Sequence, residues 1–344
     1  MKKILTAMSG GVDSAVSAFL LINSGYNVTG ATFFLHDKGE NEVRDAKSVC
    51  DFLGIPHITL DFSTQFEEHV VKPFVSAYEG GRTPNPCVDC NKHIKFGAFW
   101  RYALEAGFNG IATGHYARVT YDGDHGLPRL RKGGCDKKDQ SYVLYNLTQE
   151  ILRNVVFPIS EMSKDDVRRA ARENGLPVHC KSDSQDICFI PDGDYGSVVE
   201  GWSECPMPPG HFLDSSGKIL GCHMGIYRYT IGQRKGLGIS LGRPAFVTGI
   251  DPGRNAVVLG DDSELWKREL TARSVNWISP PTDREFRASA KIRYSHKEAD
   301  AAITLCNHGC VRVVFDNPQR AITPGQSVVF YQGDEVLGGG VISG

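Results

Sequence analysis

The sequence predicts an α/β protein: a doubly wound parallel sheet at the N-terminus, followed by two small β domains, the last barrel-like. Three observations carry this reading. Apolar extended runs alternate with amphipathic helical stretches through the first part of the chain, the βαβ signature of a parallel sheet covered on both faces. A tight glycine turn, Ser9-Gly10-Gly11-Val12-Asp13-Ser14, joins the first apolar run directly to a helical pattern. After a proline-rich break the hydrophobic period becomes two, with hairpin turns between the runs.

The first strand is expected from Ile4 to Met8, and the helix behind the turn sets Val12, Val16, Phe19 and Leu20 on one face. Strand Asn27 to Leu35 and helix Glu42 to Leu53 come next, then strand His57 to Phe62 and helix Phe66 to Tyr78. Helix Ile94 to Ala106 and strand Gly110 to Thr113 complete the alternation. A later helix, Lys164 to Asn174, has Ser163 as N-cap, Asp165 and Asp166 in its first turn and Gly175 past its end. Cys205-Pro206-Met207-Pro208-Pro209-Gly210 can sustain neither a helix nor a central strand, so a domain boundary is placed there. Strands Phe246 to Ile250 and Ala256 to Leu259 flank the turn Asp251 to Asn255. Period two returns in Ala288 to Tyr294, Ala302 to Leu305, Val311 to Phe315 and Ser327 to Tyr331. The expected domains are 1–200, 205–265 and 268–344.

With 344 residues, 41% of them hydrophobic, the chain can bury two or three cores. No apolar stretch approaches the ~20 residues of a membrane span, and the polar Ser9 to Ser14 turn interrupts the first apolar run too early for a signal peptide. A cytoplasmic protein without a membrane partner is expected, its ten cysteines mostly thiols. The net charge of −2 does not advertise nucleic-acid binding, but phosphate contacts need a local patch, not a global excess.

Residues Ser9, Gly10, Gly11, Val12, Asp13 and Ser14 form an anion cradle by construction. Adjacent glycines let backbone N–H groups approach a phosphate, the helix dipole favours negative charge, and two serines add hydroxyls. The lysine of the Walker loop GxxxxGK[ST] is missing, which argues against a Walker-type kinase or GTPase. Thr83 to Asn91, TPNPCVDCN, is a proline-set loop that delivers a CxxC onto a helix N-terminus, where the dipole favours thiolate. A zinc finger would need two more ligands, and Cys306 and Cys310 have the wrong spacing. Basic clusters occur at Arg129 to Lys138, at Arg234 and Lys235, and at Lys291 to Tyr294; each is either a solvated face or a phosphate reader.

SGGVDS resembles the pyrophosphate loop of the ATP pyrophosphatases, whose adenine-nucleotide α-hydrolase-like fold the sheet prediction matches. Taken in order, SGGVDS, TPNPCVDCN with Lys95-Phe96-Gly97, ATGHYAR (Ala112 to Arg118), KDQSYVLY (Lys138 to Tyr145), SQDICFI (Ser184 to Ile190) and YTIGQRKGLG (Tyr229 to Gly238) resemble the bacterial tRNA-specific 2-thiouridylases over nearly the whole length. The resemblance implies ATP-dependent sulfur transfer to C2 of the wobble uridine of tRNA. It implies Cys188 as the persulfide carrier and Cys90 as the second thiol, with a Cys90 to Cys188 disulfide after turnover. Ala7, Met8 and the Ser9 to Ser14 turn would form the ATP loop, Phe33 and Gly114 would contact the nucleotide, and Asp13 would hold Mg2+. Asn85, Pro86 and Cys87 would border the target base, and His115 and Gln326 would approach the tRNA. His115 has an equally good reading as a hydrogen-bonded structural residue. Lys138, Asp139, Gln140, Arg293 and Tyr294 would contact tRNA. The implied partners are tRNAs of the Lys, Glu and Gln type and an upstream persulfide donor such as a cysteine desulfurase or a sulfur-relay protein.

Many members of that family carry Asp at the position of Cys87. The departure opens a second chemistry, in which Cys87, Cys90 and Cys188 hold three irons of a 4Fe-4S cluster whose fourth iron binds sulfide. Two other classes are weighed: a synthetase adenylating a small carboxylate, and a nonenzymatic RNA-binding module. Neither needs both an intact SGGVDS and these thiols.

Overall fold

The computed structural model describes residues 1–36, 40–121, 126–135, 138–181, 187–190, 193–204 and 208–343. These fall into two units, Met1–Val70 with Cys87–Gln185 and Asp334–Leu337, and Val71–Pro86 with Asp186–Gly333 and Gly338–Gly344. The first half of the proline break, Cys205 to Met207, the start of SQDICFI and Lys137 lie outside the described residues.

In the first unit, strands β1 (Lys3–Ala7), β2 (Asn27–Phe34), β3 (His57–Asp61), β4 (Gly110–Ala112) and a short strand Val155–Val156 form a parallel sheet. The order is β3, β2, β1, β4, then Val155–Val156. The chain moves to one side of β1 first and to the other side later, so the carboxyl end of β1 is the topological switch point where open α/β sheets bind ligands. Helix α1 (Val12–Asn23) starts there. Its Val12, Ala15, Val16 and Ala18 pack in one buried cluster with Ala46, Val49 and Cys50 of helix α2 (Glu40–Leu53) and with Val167 and Ala171 of helix Lys164–Glu173. The apolar spacing of all three helices is what lets them cover one sheet face.

Two predicted helices are less regular than expected. The stretch after β3 is helical at Ser63–Phe66, widens to a π-helix at Glu67–Val71, and resumes at Lys72–Glu79. Pro73 explains the break, because its ring removes an N–H and crowds the preceding turn. The CxxC segment starts earlier than predicted, as helix Pro86–Asp89 followed by a π-helix at Cys90–Ala98 and a regular turn at Phe99–Glu105. The hairpin Ala117–Tyr121 with Pro128–Lys132 was not predicted.

The second unit contains a four-stranded sheet of Gly210–Leu213, Ile219–His223, Phe246–Asp251 and Ala256–Gly260. Phe212, Tyr229, Val247, Val257 and Leu259 fill its core. Six further strands, Trp266–Trp277, Glu285–Lys291, Ala299–Leu305, Val311–Arg320, Ser327–Gln332 and Glu335–Ile342, close into a barrel through pairing of the first with the last. The expected barrel is therefore present.

Candidate active site

The glycine loop follows β1 as predicted. Gly10 takes φ +67°, and a Cβ there would meet the Cβ of Asp45 at 2.8 Å and the carbonyl of Glu42 at 2.9 Å, so both conformation and crowding demand glycine. Ser14 Oγ donates to the Gly11 carbonyl at 2.9 Å and accepts from Ser9 N at 3.3 Å, closing the turn on itself. No side chain caps α1 at Gly11. Its first-turn N–H groups therefore face the loop, in the arrangement that binds phosphate at a helix N-terminus.

Asp13, in the first turn of α1, accepts from Tyr116 Oη at 2.7 Å and pairs with Lys164 Nζ at 2.7 Å. Gly114 lies against it: a Cβ would come within 3.1 to 3.2 Å of Asp13 atoms. Tyr116 is in turn held by Gln140, whose N donates to the Tyr116 carbonyl at 2.9 Å and whose Oε1 accepts from Tyr116 N at 3.0 Å. Asp139 accepts from Gly133 N, Ser141 N and Ser141 Oγ at 2.8 to 3.1 Å. Gln140 thus supports the glycine loop through Tyr116 and Asp13.

Sequence reasoning missed Lys164. Its side chain is only 14% exposed, and it occupies the first position of helix Lys164–Glu173, where the dipole disfavours a cation. That misplaced positive charge was the available signal. Lys181 was also missed: its Nζ donates to the Gly10 carbonyl at 3.1 Å and to Asp45 at 2.6 Å. Phe33, at the carboxyl end of β2, is half-buried and packs its ring on Phe62 and Phe99 at 5.4 and 4.8 Å between centroids. His115 is buried, hydrogen-bonded at Nδ1 to Thr113 at 2.7 Å and flanked by Phe96 and Phe157. Burial, with Lys95 adding to it, pushes its pKa well below the usual histidine value, so the ring is neutral.

Cys87 is exposed and Cys90 is buried in the first unit, and Cys188 is exposed in the second. Protein crowding around the thiol raises the Cys87 pKa although the residue reaches the surface; Lys95 pulls it back and Asp89 adds to the rise. The same desolvation lifts the carboxyl of Asp89, between the two cysteines, to about 6. Among the described residues no three His, Cys, Asp or Glu side chains are grouped to hold a metal ion.

The loop before the CxxC is gripped within the second unit. Gln326 Nε2 donates to the carbonyls of Thr83 at 2.8 Å and Pro84 at 3.2 Å, and Thr83 N donates to the Pro324 carbonyl at 2.9 Å. Gly325 has φ +93°, and a Cβ there would stand 2.9 to 3.0 Å from the Thr83 backbone. Asn85 is half-buried and Pro86 buried just beyond that grip. Phe189, next to Cys188, meets Phe74 edge-on at 5.3 Å.

Arg293 donates to the carbonyls of Ile231 at 3.0 Å and Ala321 at 3.3 Å and to Thr323 Oγ1. Tyr294 is exposed, with Lys291 over its ring at 5.7 Å. In the first unit Arg118 and Arg131 pair with Asp334 at 2.7 and 2.6 Å, and Arg129 pairs with Glu335 at 3.1 Å. Two arginines of the Arg129 to Lys138 cluster are therefore engaged within the protein. No helix among the described residues is long and apolar enough to cross a membrane.

Three family models match in succession: the tRNA methyl transferase HUP domain over residues 2–192, the tRNA methyl transferase PRC-barrel domain over 203–261, and the aminomethyltransferase β-barrel domain over 267–342. The tRNA-specific 2-thiouridylase MnmA of Acetivibrio thermocellus is 49% identical, with 99% of each chain covered. That of Clostridioides difficile is 48% identical over 99% of this chain and 98% of its own. Among solved structures, the U34-tRNA thiolase NcsA from Methanococcus maripaludis with its [4Fe-4S] cluster matches at 18% identity and TM-score 0.37, over 58% of this chain and 64% of its own. With full-length identity of this order and all three models in sequence, the chain belongs to the tRNA-specific 2-thiouridylase family.

Proposed function

We propose that this protein uses ATP to replace the C2 oxygen of the tRNA wobble uridine with sulfur, through an adenylated uridine and a cysteine persulfide, in the cytoplasm. The full-length relationship to tRNA-specific 2-thiouridylases carries the reading, and the loop geometry supports it. The uracil C2 oxygen is a poor leaving group, so it must first attack the α-phosphorus of ATP and expel pyrophosphate. The uncapped N-terminus of α1, the Ser9 and Ser14 hydroxyls and Lys164 stand where a pyrophosphate would be held. Lys164 is the cation that the loop sequence lacks. A carboxylate together with substrate phosphates and water is a donor set that Mg2+ accepts, and Asp13 would hold that ion, which would neutralise phosphate charge.

The terminal sulfur of a Cys188 persulfide then attacks C2 and AMP departs with the former carbonyl oxygen. Cys90 thiolate attacks the Cys188 sulfur, breaking the S–S bond; the electron pair goes to the sulfur on C2, and a Cys90 to Cys188 disulfide remains for an external reductant. The persulfide comes from an upstream desulfurase or relay protein. Gln326 and Gly325 fix the backbone leading to Asn85, Pro86 and Cys87, which border the base in this reading. The test is nucleoside mass spectrometry and AMP release with tRNA bearing a wobble uridine and a persulfide donor. Release of ADP, or AMP release indifferent to RNA, would refute it.

A further inference from the structure

We propose that Cys306 and Cys310, a cysteine pair that the sulfur chemistry leaves unused, form a redox-active dithiol in the β-barrel that closes reversibly to an intramolecular disulfide. The proposal is independent of the thiolation reading, which gives neither residue a role. The two cysteines flank the turn Asn307–Gly309 between strands Ala299–Leu305 and Val311–Arg320. Thr304 is paired with Arg312 and Leu305 with Val311, and the register runs on to set Cys306 opposite Cys310, with Cys306 N donating to the Cys310 carbonyl at 2.9 Å. His308 and Gly309 hold the turn tight with φ +61° and +69°. Opposite residues of an antiparallel pair have Cα atoms about 4.5 to 5.5 Å apart. A disulfide spans about 4.4 to 6.8 Å between Cα atoms, so the backbone is already set for the bond.

The side chains agree with the backbone. Ala301, Ile303, Val311, Val313 and Phe315 are buried in the barrel, and alternation along each strand puts Cys306 and Cys310 together on the opposite face, where both are partly exposed. Both are free thiols. Cys310 Sγ donates to the Asn307 carbonyl at 3.0 Å and Cys306 Sγ to the Thr304 carbonyl at 3.7 Å. Giving up those weak bonds takes only rotations about χ1, which partly exposed side chains make readily. The oxidant is a small disulfide. One cysteine thiolate attacks a sulfur of that disulfide, its S–S bond breaks, and a small thiolate leaves a mixed disulfide behind. The second cysteine, its proton passing to the released thiolate, attacks the protein sulfur and expels the other small thiolate. Two protein thiols are oxidised and one disulfide is reduced to two thiols. Because the new bond lies at the surface, the same exchange run backwards opens it.

Trypsin cuts after Lys297 and Arg312, so the peptide Glu298 to Arg312 carries both cysteines and no other. The experiment equilibrates the reduced full chain in mixtures of reduced and oxidised glutathione, quenches with acid, alkylates the remaining thiols and weighs this peptide by mass spectrometry. The expected product is lighter by two hydrogens, carries neither alkyl group nor glutathione, and exceeds the glutathione adduct by about tenfold, because the second thiol acts within the same hairpin. Dithiothreitol should return it to the doubly alkylated form. Cys306→Ser and Cys310→Ser should each replace the light peptide by a glutathione adduct on the remaining cysteine. A wild-type peptide still doubly alkylated in a mixture where the exposed Cys222 has taken up glutathione overturns the proposal, as does one that carries glutathione to the same extent as the single variants.

Discussion

Replacing Lys164 by Met tests the central claim about the nucleotide loop. The side chain is close in length, so the perturbation is the loss of one ammonium, 14% exposed and 2.7 Å from Asp13. At ~4 Å from a phosphate charge and an effective dielectric of about 20, such a cation is worth about 4 kcal/mol. In the nucleotide-free protein the same ammonium is matched by Asp13, so only part of that is gained on binding. A net loss of about 1.5 to 3 kcal/mol corresponds to roughly 10- to 150-fold in kcat/KM for ATP. Asp13 keeps its bond from Tyr116 and its favourable place in the first turn of α1, so the fold should survive. Pyrophosphate release against ATP concentration, at saturating tRNA, reads the effect, and Lys164→Arg should retain part of the activity. An unchanged kcat/KM in Lys164→Met would show that the loop binds its nucleotide without this lysine.

Three further outcomes are expected. Cys188→Ser and Cys90→Ser should each abolish 2-thiouridine formation while AMP release persists in at least one of them; wild-type thiolation in either removes that cysteine from the chemistry. Asp89 has its folded pKa raised to about 6 by burial, so its contribution to stability is greatest below the unfolded value near 4 and is lost as pH rises through 6. Asp89→Asn should therefore be more stable than wild type by about 1 to 2 kcal/mol at pH 7, with the difference vanishing toward pH 4, as read by urea midpoints. Arg293→Ala should lower thermal stability by leaving the Ile231 and Ala321 carbonyls without that donor, whereas Lys138→Ala should reduce the salt slope of tRNA binding by roughly one counterion. An unaltered slope for Lys138→Ala would return that residue to the solvated surface.

The parallel sheet and the glycine loop were legible because their signals are local: alternation of apolar runs, a turn that needs glycine, a helix start. Lys164 and Lys181 were not, since each meets the loop across 151 and 171 residues. Only topology brings such residues together. Cys90 and Cys188 stood out by their motifs, but burial of one and exposure of the other could not be read from spacing. The internal partners of Arg293 and Arg131 were not legible, since a basic run in sequence does not reveal the carbonyls and carboxylates that meet it in space. The π-helical widening at Glu67–Val71 is half legible: Pro73 forecasts a break, though not its form.

Residues Asp334 and Glu335 belong to the first unit, where they neutralise Arg118, Arg129 and Arg131. They are synthesised 203 to 216 residues after the arginines they meet. Until they emerge, the hairpin carrying those arginines holds three positive charges with neither carboxylate in reach. The N-terminal half can build its sheet early from near neighbours, but this part of it waits for Asp334 and Glu335, a contact of very high sequence separation that folds late. A ribosome that stops before Asp334 would release a first unit lacking both carboxylates, and such a product should be recognised by proteases sooner than one that carries them.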